Sequence, residues 1–444
     1  MRVKLFAFAL LFSLVSSGFA TNKKSLSSFA RKATSANSSE SAEAISALRA
    51  EGEAGLEAFL NEYAAELNHR RLELAGTNPQ AANPSWQRTA AALDRICQQR
   101  DCYASELYWH TDLEKAKAAA RASGKPILSL RLLGKLDEEL SCANSRFFRI
   151  TLYANDQVSK LLRERFILHW QSVRPVPKIT IDFGDGRKLE RTLTGNSIHY
   201  VLDSDARPID ALPGLYGPGA FLRELARAEA FSSQCRAAKT NEERAALLRA
   251  YHSARVKELD SAWAMDIAKA GIVNPPSRGA AKMTAETAKP PRAEVAAITT
   301  RAKMAIVERP VLRGISTDPK LLDPKAEDAA WAKIAALHLA DARLDQSSRA
   351  LMRAKSAGRY ATPESLNRAV SDFERVIAED TMRNEYMMRR QIHEWFVGSV
   401  VTGDVDVLNE KVYAELFLTP SSDRWLGLFP EESYTGIEND GVRR

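Results

Sequence analysis

Apolar residues at Ile45, Leu48, Leu56, Phe59, Leu60, Tyr63 and Leu67 recur at helical spacing, which predicts an amphipathic helix or helix pair. A second helix is predicted from Trp86 to about Cys102. Thr111-Asp112-Leu113-Glu114 reads as a capping box opening an Ala- and Lys-rich helix that Gly124 closes before Lys125-Pro126. The pattern then changes to a short apolar run, ILSLRLLG from Ile127, expected of a central, buried strand in a mostly parallel sheet. Asn155 is a candidate cap for a helix with Val158, Leu161, Leu162 and Phe166 on one face, and FILHW from Phe166 supplies the next strand. ITIDF and RKLERTL flank Gly184-Asp185-Gly186 and predict a β-hairpin, placed as an insertion or at a sheet edge. HYVLDSDARPIDAL gives two further strands around a turn, and Gly217-Pro218-Gly219 leads into a helix with Phe221, Leu222 and Leu225.

Outside this region the pattern is helical. Residues 22–41, rich in Ser, Ala and Lys, are predicted to be a disordered arm, and a helix is predicted from Glu242 to Ala270. Seven of the eighteen prolines fall between Pro275 and Pro324, which predicts an inter-domain linker or a loosely wrapped segment. Helical patterning resumes at Ala326, and Thr362-Pro363-Glu364 marks a helix start with Thr as cap and Pro in the first turn. Three or four helices fit before Pro420, with Trp395, Phe396, Tyr413, Leu416 and Phe417 as their shared core and WLGLFPEE docking on it. The boundaries that follow are a signal peptide at 1–20, a disordered arm and helical extension at 21–105, an α/β domain at 106–230, a helical extension at 231–270, a Pro-rich linker at 271–325 and an α-helical domain at 326–444.

The first twenty residues change where the chain is expected to work. Arg2 and Lys4 form a positive n-region, LFAFALLFSLV an apolar core too short to span a bilayer, and Gly18-Phe19-Ala20 a small-residue cleavage site. An exported, periplasmic or extracellular product cut between Ala20 and Thr21, with no transmembrane segment in mature form, is the expectation. Removing Arg2 and Lys4 takes the formal charge from +7 to +5. With 63 basic residues against 56 acidic and no basic run interleaved with aromatics, nucleic acid is not an expected partner. An oxidising compartment gives weight to the four cysteines, Cys97, Cys102, Cys142 and Cys235, which allow three pairings. A Cys97–Cys102 bridge requires the helix to end between them, since an unbroken helix points the two side chains to different faces.

The chemistry-bearing position is Cys142, in Cys142-Ala143-Asn144-Ser145 at a strand-to-helix junction. With the lead-in from Tyr108 to Pro126, this stretch resembles the thioredoxin superfamily, particularly its secreted members, over about Glu106 to Ala230. The resemblance implies an α/β, three-layer thioredoxin-like domain, here with a helical N-terminal extension and a mainly α C-terminal domain. It also implies thiol chemistry, from which this chain departs twice. Where the family carries a second, resolving cysteine this chain has Ser145, and where the family has a cis-proline this chain has Ser197. A cis bond before serine costs about 2.5–4 kcal/mol, so a trans backbone is expected. Placement at a helix N-terminus, with Arg146 and Arg149 nearby, favours thiolate at Cys142, whereas Glu138 and Glu139 oppose it; a buried, inert cysteine kept for packing is the competing reading.

Two functions are therefore carried forward. One is a binding or scaffolding role in the cell envelope with a degenerate redox motif, the partner being an envelope protein. The other is a monothiol thiol-disulfide oxidoreductase or isomerase in which Cys142 attacks a thiol or disulfide substrate. Catalytic candidates are Cys142 and Ser145; no cofactor or metal is assigned. His169 and His199 could join Cys142 in a soft-ligand metal site, but strand side chains alternate faces and a structural role is the better reading. Asp182-Phe183-Gly184 reads as hairpin chemistry, and His393-Glu394 lacks the second histidine of a zinc protease.

Overall fold

The computed structural model describes residues 25–442 except 77–82, 280–290, 298, 301–302, 317, 357, 361, 399–402 and 430–435. The predicted cleavage site at Ala20 lies outside the described residues. The chain is mixed α/β. A helix over 25–33 (α1) is followed by α2 Ser38–Ala50, α3 Glu53–Glu62, α4 Ala64–Ala75 and α5 Pro84–Cys97. The described part of the predicted disordered arm is thus corrected to ordered helix. Its small residues serve packing, since Leu26, Ala30 and Ala33 are buried in one cluster with Ile45, Leu48 and Phe59. The helix α5 ends at Cys97, where Gln98 turns left-handed, and a Cys97–Cys102 disulfide closes the turn.

Four strands form the main sheet: β1 Ile127–Leu133, β2 Ile167–Arg174, β5 Ser197–Leu202 and β6 Pro208–Pro213, in the order β2-β1-β5-β6. The pair β1/β2 is parallel and joined through α7 Ala143–Phe147 and α8 Asp156–Arg165, whereas β1/β5 and β5/β6 are antiparallel. The strands β3 Lys178–Asp182 and β4 Lys188–Thr192 form a separate two-stranded ribbon. The helix α6 Leu113–Ser123 precedes β1, and its cap is Asp112, whose carboxylate accepts from Glu114 and Lys115; the Thr111 capping box is corrected by one residue. Gly124 closes this helix in the left-handed conformation, and Asn155 caps α8 as predicted. The helices α9 Pro218–Ala237 and α10 Asn241–Lys269 complete the middle of the chain.

The Pro-rich segment is not a free linker where it is described. It folds as α11 Ala293–Ala297, a wide turn Met304–Glu308 and α12 Arg309–Ile315, and its residues Ala293, Ala297, Met304, Leu312 and Leu322 bury against Leu193 beside the sheet. Pro310 and Pro319 occupy first helical turns, where a missing N–H costs nothing, so these prolines start helices rather than prevent them. Next come α13 Ala326–Ala336, α14 Gln346–Lys355, α15 Pro363–Arg383, the wide turn Asn384–Arg389, α16 Arg390–Val397 and α17 Val405–Glu415. Trp395, Phe396, Tyr413, Leu416 and Phe417 are buried as expected, but in the same cluster as Ile127, Leu130 and Tyr200 of the sheet. One core therefore crosses the predicted boundary at 326. The helix α17 covers one sheet face: Tyr200 donates its hydroxyl to Asn409 (3.3 Å), and Arg131 pairs with Asp406 (3.0 Å).

Four histidines, His169, His199, His252 and His393, are buried. Burial lowers His169 and His199 to about 3, His252 to about 4 and His393 well below its ordinary value. His252 donates Nε2–H to the Ile209 carbonyl (3.1 Å), so in the neutral pair its Nδ1 accepts from His393 (2.7 Å). Because the folded values lie below the unfolded value near 6.5, the unfolded chain takes up protons first on acidification. The stabilisation is complete above about pH 6.5 and is lost as pH falls through the folded values, toward about 3, each histidine contributing a slope of up to about 1.4 kcal/mol per pH unit. Urea unfolding midpoints should therefore fall steeply between pH 7 and 5; a flat profile there would contradict neutral buried imidazoles.

Candidate functional site: the closed Cys142 corner

The strand β1 ends at Leu133, and after a loop the chain returns so that the Cys142 N–H donates to the Leu133 carbonyl (3.3 Å). Cys142 caps the five-residue α7: its Sγ accepts the Ser145 N–H at 3.4 Å. The second candidate, Ser145, is also buried. Its hydroxyl donates to Ser141 Oγ (2.6 Å) or to the Cys142 carbonyl (2.9 Å), and so sits in a network that stabilises the turn. Cys142 itself is 0% exposed.

A loop fifty residues downstream closes the corner. The Cα of Gly195 lies so near Cys142 that a Cβ there would come within 2.2 Å of Cys142 Cβ and 3.6 Å of Sγ. Next to it, Thr194 holds a left-handed φ of 59°, a costly conformation for a β-branched residue, and is fully buried. Thr192 donates its hydroxyl to the Ser141 carbonyl (3.2 Å), and Tyr413 of α17 donates to the Asn196 carbonyl (2.9 Å). Burial pushes the phenols of Tyr153 and Tyr413 well above their ordinary values.

Of the two arginines expected to favour thiolate, Arg146 lies within electrostatic reach of Cys142 and Arg149 is engaged elsewhere. Arg146 donates to Thr192 Oγ1 (3.1 Å), and burial lowers its guanidinium although Cys142 opposes that shift. Arg149 is buried and faces Asp101 (3.9 Å) and the Glu139 carbonyl (3.4 Å). Glu139 in turn pairs with Arg100 (3.2 Å) and Lys355 (3.0 Å), and Lys355 also reaches Asp101 (3.0 Å). The acidic loop is therefore an ionic knot joining the α5 end, the α7 region and α14. The charge signs were visible in sequence; the long-range partners were not.

The histidines are not brought together with Cys142. His169 bonds Ser129 Oγ (2.8 Å). In the strand register Ser129 pairs with His169 on one side and Tyr200 on the other, whereas His199 pairs with Leu130, so the two histidines lie on opposite faces. His199 instead contacts Tyr153 OH (2.6 Å). Among the described residues there is no metal-holding group of three or more His, Cys, Asp or Glu, and no cis peptide bond, the one before Ser197 included. Asp182-Phe183-Gly184 closes the exposed β3–β4 ribbon, and His393 is buried against His252. The other free thiol, Cys235, is buried in α9, and burial raises it to about 11. Comparison of the chain with protein-family models, with curated proteins and with solved structures finds no match.

The Gly195 contact makes a quantitative prediction. Gly195→Ala should lower stability by about 1–3 kcal/mol, because two backbone segments must separate. Cys142→Gly should be less harmful in the Gly195→Ala background than alone, since it removes the opposing Cβ. A double-mutant cycle by urea unfolding reads this coupling, and additive effects would mean that the two segments do not meet.

Proposed function

We propose that the chain is an exported, thioredoxin-like protein that works in the cell envelope by binding or scaffolding rather than by dithiol exchange. The thioredoxin-like reading is supported by the sequence strand, helix, strand, ribbon, antiparallel strand pair, helix, with β2-β1-β5-β6 as its sheet and Cys142 at the first strand-to-helix junction. The observation that carries the binding reading is the closure of the corner: Cys142 is fully buried under Gly195, and the resolving position is a serine. A thiolate must reach a substrate disulfide along the S–S axis, and a covered sulfur cannot. A surface suited to binding is also present. The β3–β4 ribbon pairs only within itself and leaves Ile181 and Phe183 exposed.

The monothiol reading keeps one observation in its favour, the N–H of Ser145 directed at Sγ, which suits a thiolate more than a thiol. The two readings separate on one pair of proteins. Wild type and Ser145→Cys are incubated with a disulfide-bonded protein substrate, and mixed disulfides and reductase turnover are measured. Binding predicts neither from either protein. A mixed disulfide on wild-type Cys142, or turnover installed by Ser145→Cys, would overturn it.

Export is tested separately. Envelope material should give Thr21 as its first residue on N-terminal sequencing, and intact Met1 in cytosolic material would sink this part of the proposal.

A further inference from the structure

The loop over Cys142 has an outer support built from a part of the chain that nothing else in the site requires. Thr300 donates its hydroxyl to Asn196 Oδ1 (2.8 Å), Lys303 Nζ lies 3.4 Å from the same oxygen, and Asn196 Nδ2 donates to Thr299 Oγ1 (3.4 Å). Lys303 is also paired with Glu308 (3.6 Å), both side chains being almost wholly buried. Burial raises the Glu308 carboxyl, opposed by Lys303 and, less strongly, by Arg146 of the Cys142 helix. On the apolar side, Leu193 sits among Ala293, Ala297, Met304, Leu312 and Leu322.

This support is separate from the main core. Cys142 belongs to the large cluster that holds the sheet and the C-terminal helices, whereas Leu193 and its partners form a small satellite cluster. Small clusters open locally at lower free energy than the core they sit on. The loop also carries strain at Thr194. The main core keeps its own hold on the loop through Tyr413 and Thr192.

We propose that α11, the Met304–Glu308 turn and α12 act as an intramolecular latch that holds loop 192–196 shut over Cys142, and that releasing it uncovers the thiol with the rest of the fold intact. The latch rests on the reading above only in treating the Cys142 corner as the part worth covering. It turns a permanently closed corner into one that can be opened. The polar lock is the weak point. Taking away Lys303 leaves a buried carboxylate and Asn196 Oδ1 short of a donor, whereas replacing both members of the pair by apolar side chains leaves no stranded charge.

The test uses the full chain in native buffer with a maleimide, reading modification of Cys142 and Cys235 separately by peptide mass spectrometry. In wild type both thiols should react slowly. In Lys303→Ala, Cys142 should react about tenfold faster or more while Cys235 stays unchanged. Lys303→Met with Glu308→Leu should bring Cys142 back to within about threefold of wild type. Should Lys303→Ala fail to fold, Thr300→Val removes one hydroxyl from Asn196 and should accelerate Cys142 in the same direction by less. The latch is overturned by fast wild-type labelling, by no change at Cys142 in either variant, by a parallel rise at Cys235, which marks global opening, or by a double variant that stays open. Trapping of a disulfide substrate separates this from the binding reading. Trapping by Lys303→Ala alone would overturn binding and support the latch, whereas trapping by wild type would overturn both.

Discussion

Arg389 is fully buried and its guanidinium is shared by three carboxylates, Asp210 of β6 (2.9 Å), Glu224 of α9 (2.7 Å) and Glu385 one turn back on its own helix (2.9 Å). Around it, Arg255 of α10 pairs with Glu224 (2.9 Å), and Tyr251 donates to Asp210 (2.9 Å). Burial alone would make each of these charges intolerable. The Arg389 charge holds the Asp210 carboxyl far below the usual carboxylate range against desolvation, and the surrounding carboxylates hold Arg389 above its own value. Removing one member of such a network costs about 3–5 kcal/mol, because the rest stay buried and uncompensated. The sheet edge, α9, α10 and the 384–397 helix must therefore all be present for any of them to sit where they do. The sheet supplies Asp210 and the C-terminal helix supplies Arg389, so the two share one buried ionic network.

The same docking fixes finer features. Asn384, at the start of the wide turn, donates to the Leu215 carbonyl (2.7 Å) beside Gly214, whose left-handed φ of 74° and lack of a Cβ let the turn approach. Thr381 accepts the Gly217 N–H (2.9 Å), so the helix also satisfies a donor at the start of α9. In α17, Tyr413 reaches back to the Asn196 carbonyl over the Cys142 corner.

Local signals were legible in sequence and long-range ones were not. The caps at Asn155 and Thr362, the Gly124 terminus and the fully buried, mainly aliphatic β1 each depend on residues within one or two turns, so the sequence pattern locates them. Reading 25–33 as disordered failed because Ser and Ala signal disorder by composition but pack as small faces once Ile45 and Phe59 are opposite. Within the 271–325 stretch read as a linker or loosely wrapped segment, α11 and α12 could not be foreseen, because proline at a first helical turn and proline in a linker look alike until the partner, here Leu193, is known. The site divides in the same way. Cys142 at the strand-to-helix junction could be found from the pattern, but Gly195 covers it from another part of the chain with no periodicity to announce it.

Closure also changes what the missing sulfur means. Judged from the motif alone, Ser145 is a lost resolving thiol, and restoring it should restore chemistry. In the folded chain its hydroxyl bridges Ser141 and the Cys142 carbonyl at hydrogen-bond distance, in a site with no exposure. Sulfur is larger than oxygen and a weaker hydrogen-bonding group, so a cysteine there must push on Ser141 or abandon both contacts. The corner is shaped around an oxygen at position 145 and the absence of a side chain at 195. Ser145 and Gly195 are thus mutually consistent, as expected where packing rather than reactivity determines which residues the site accepts.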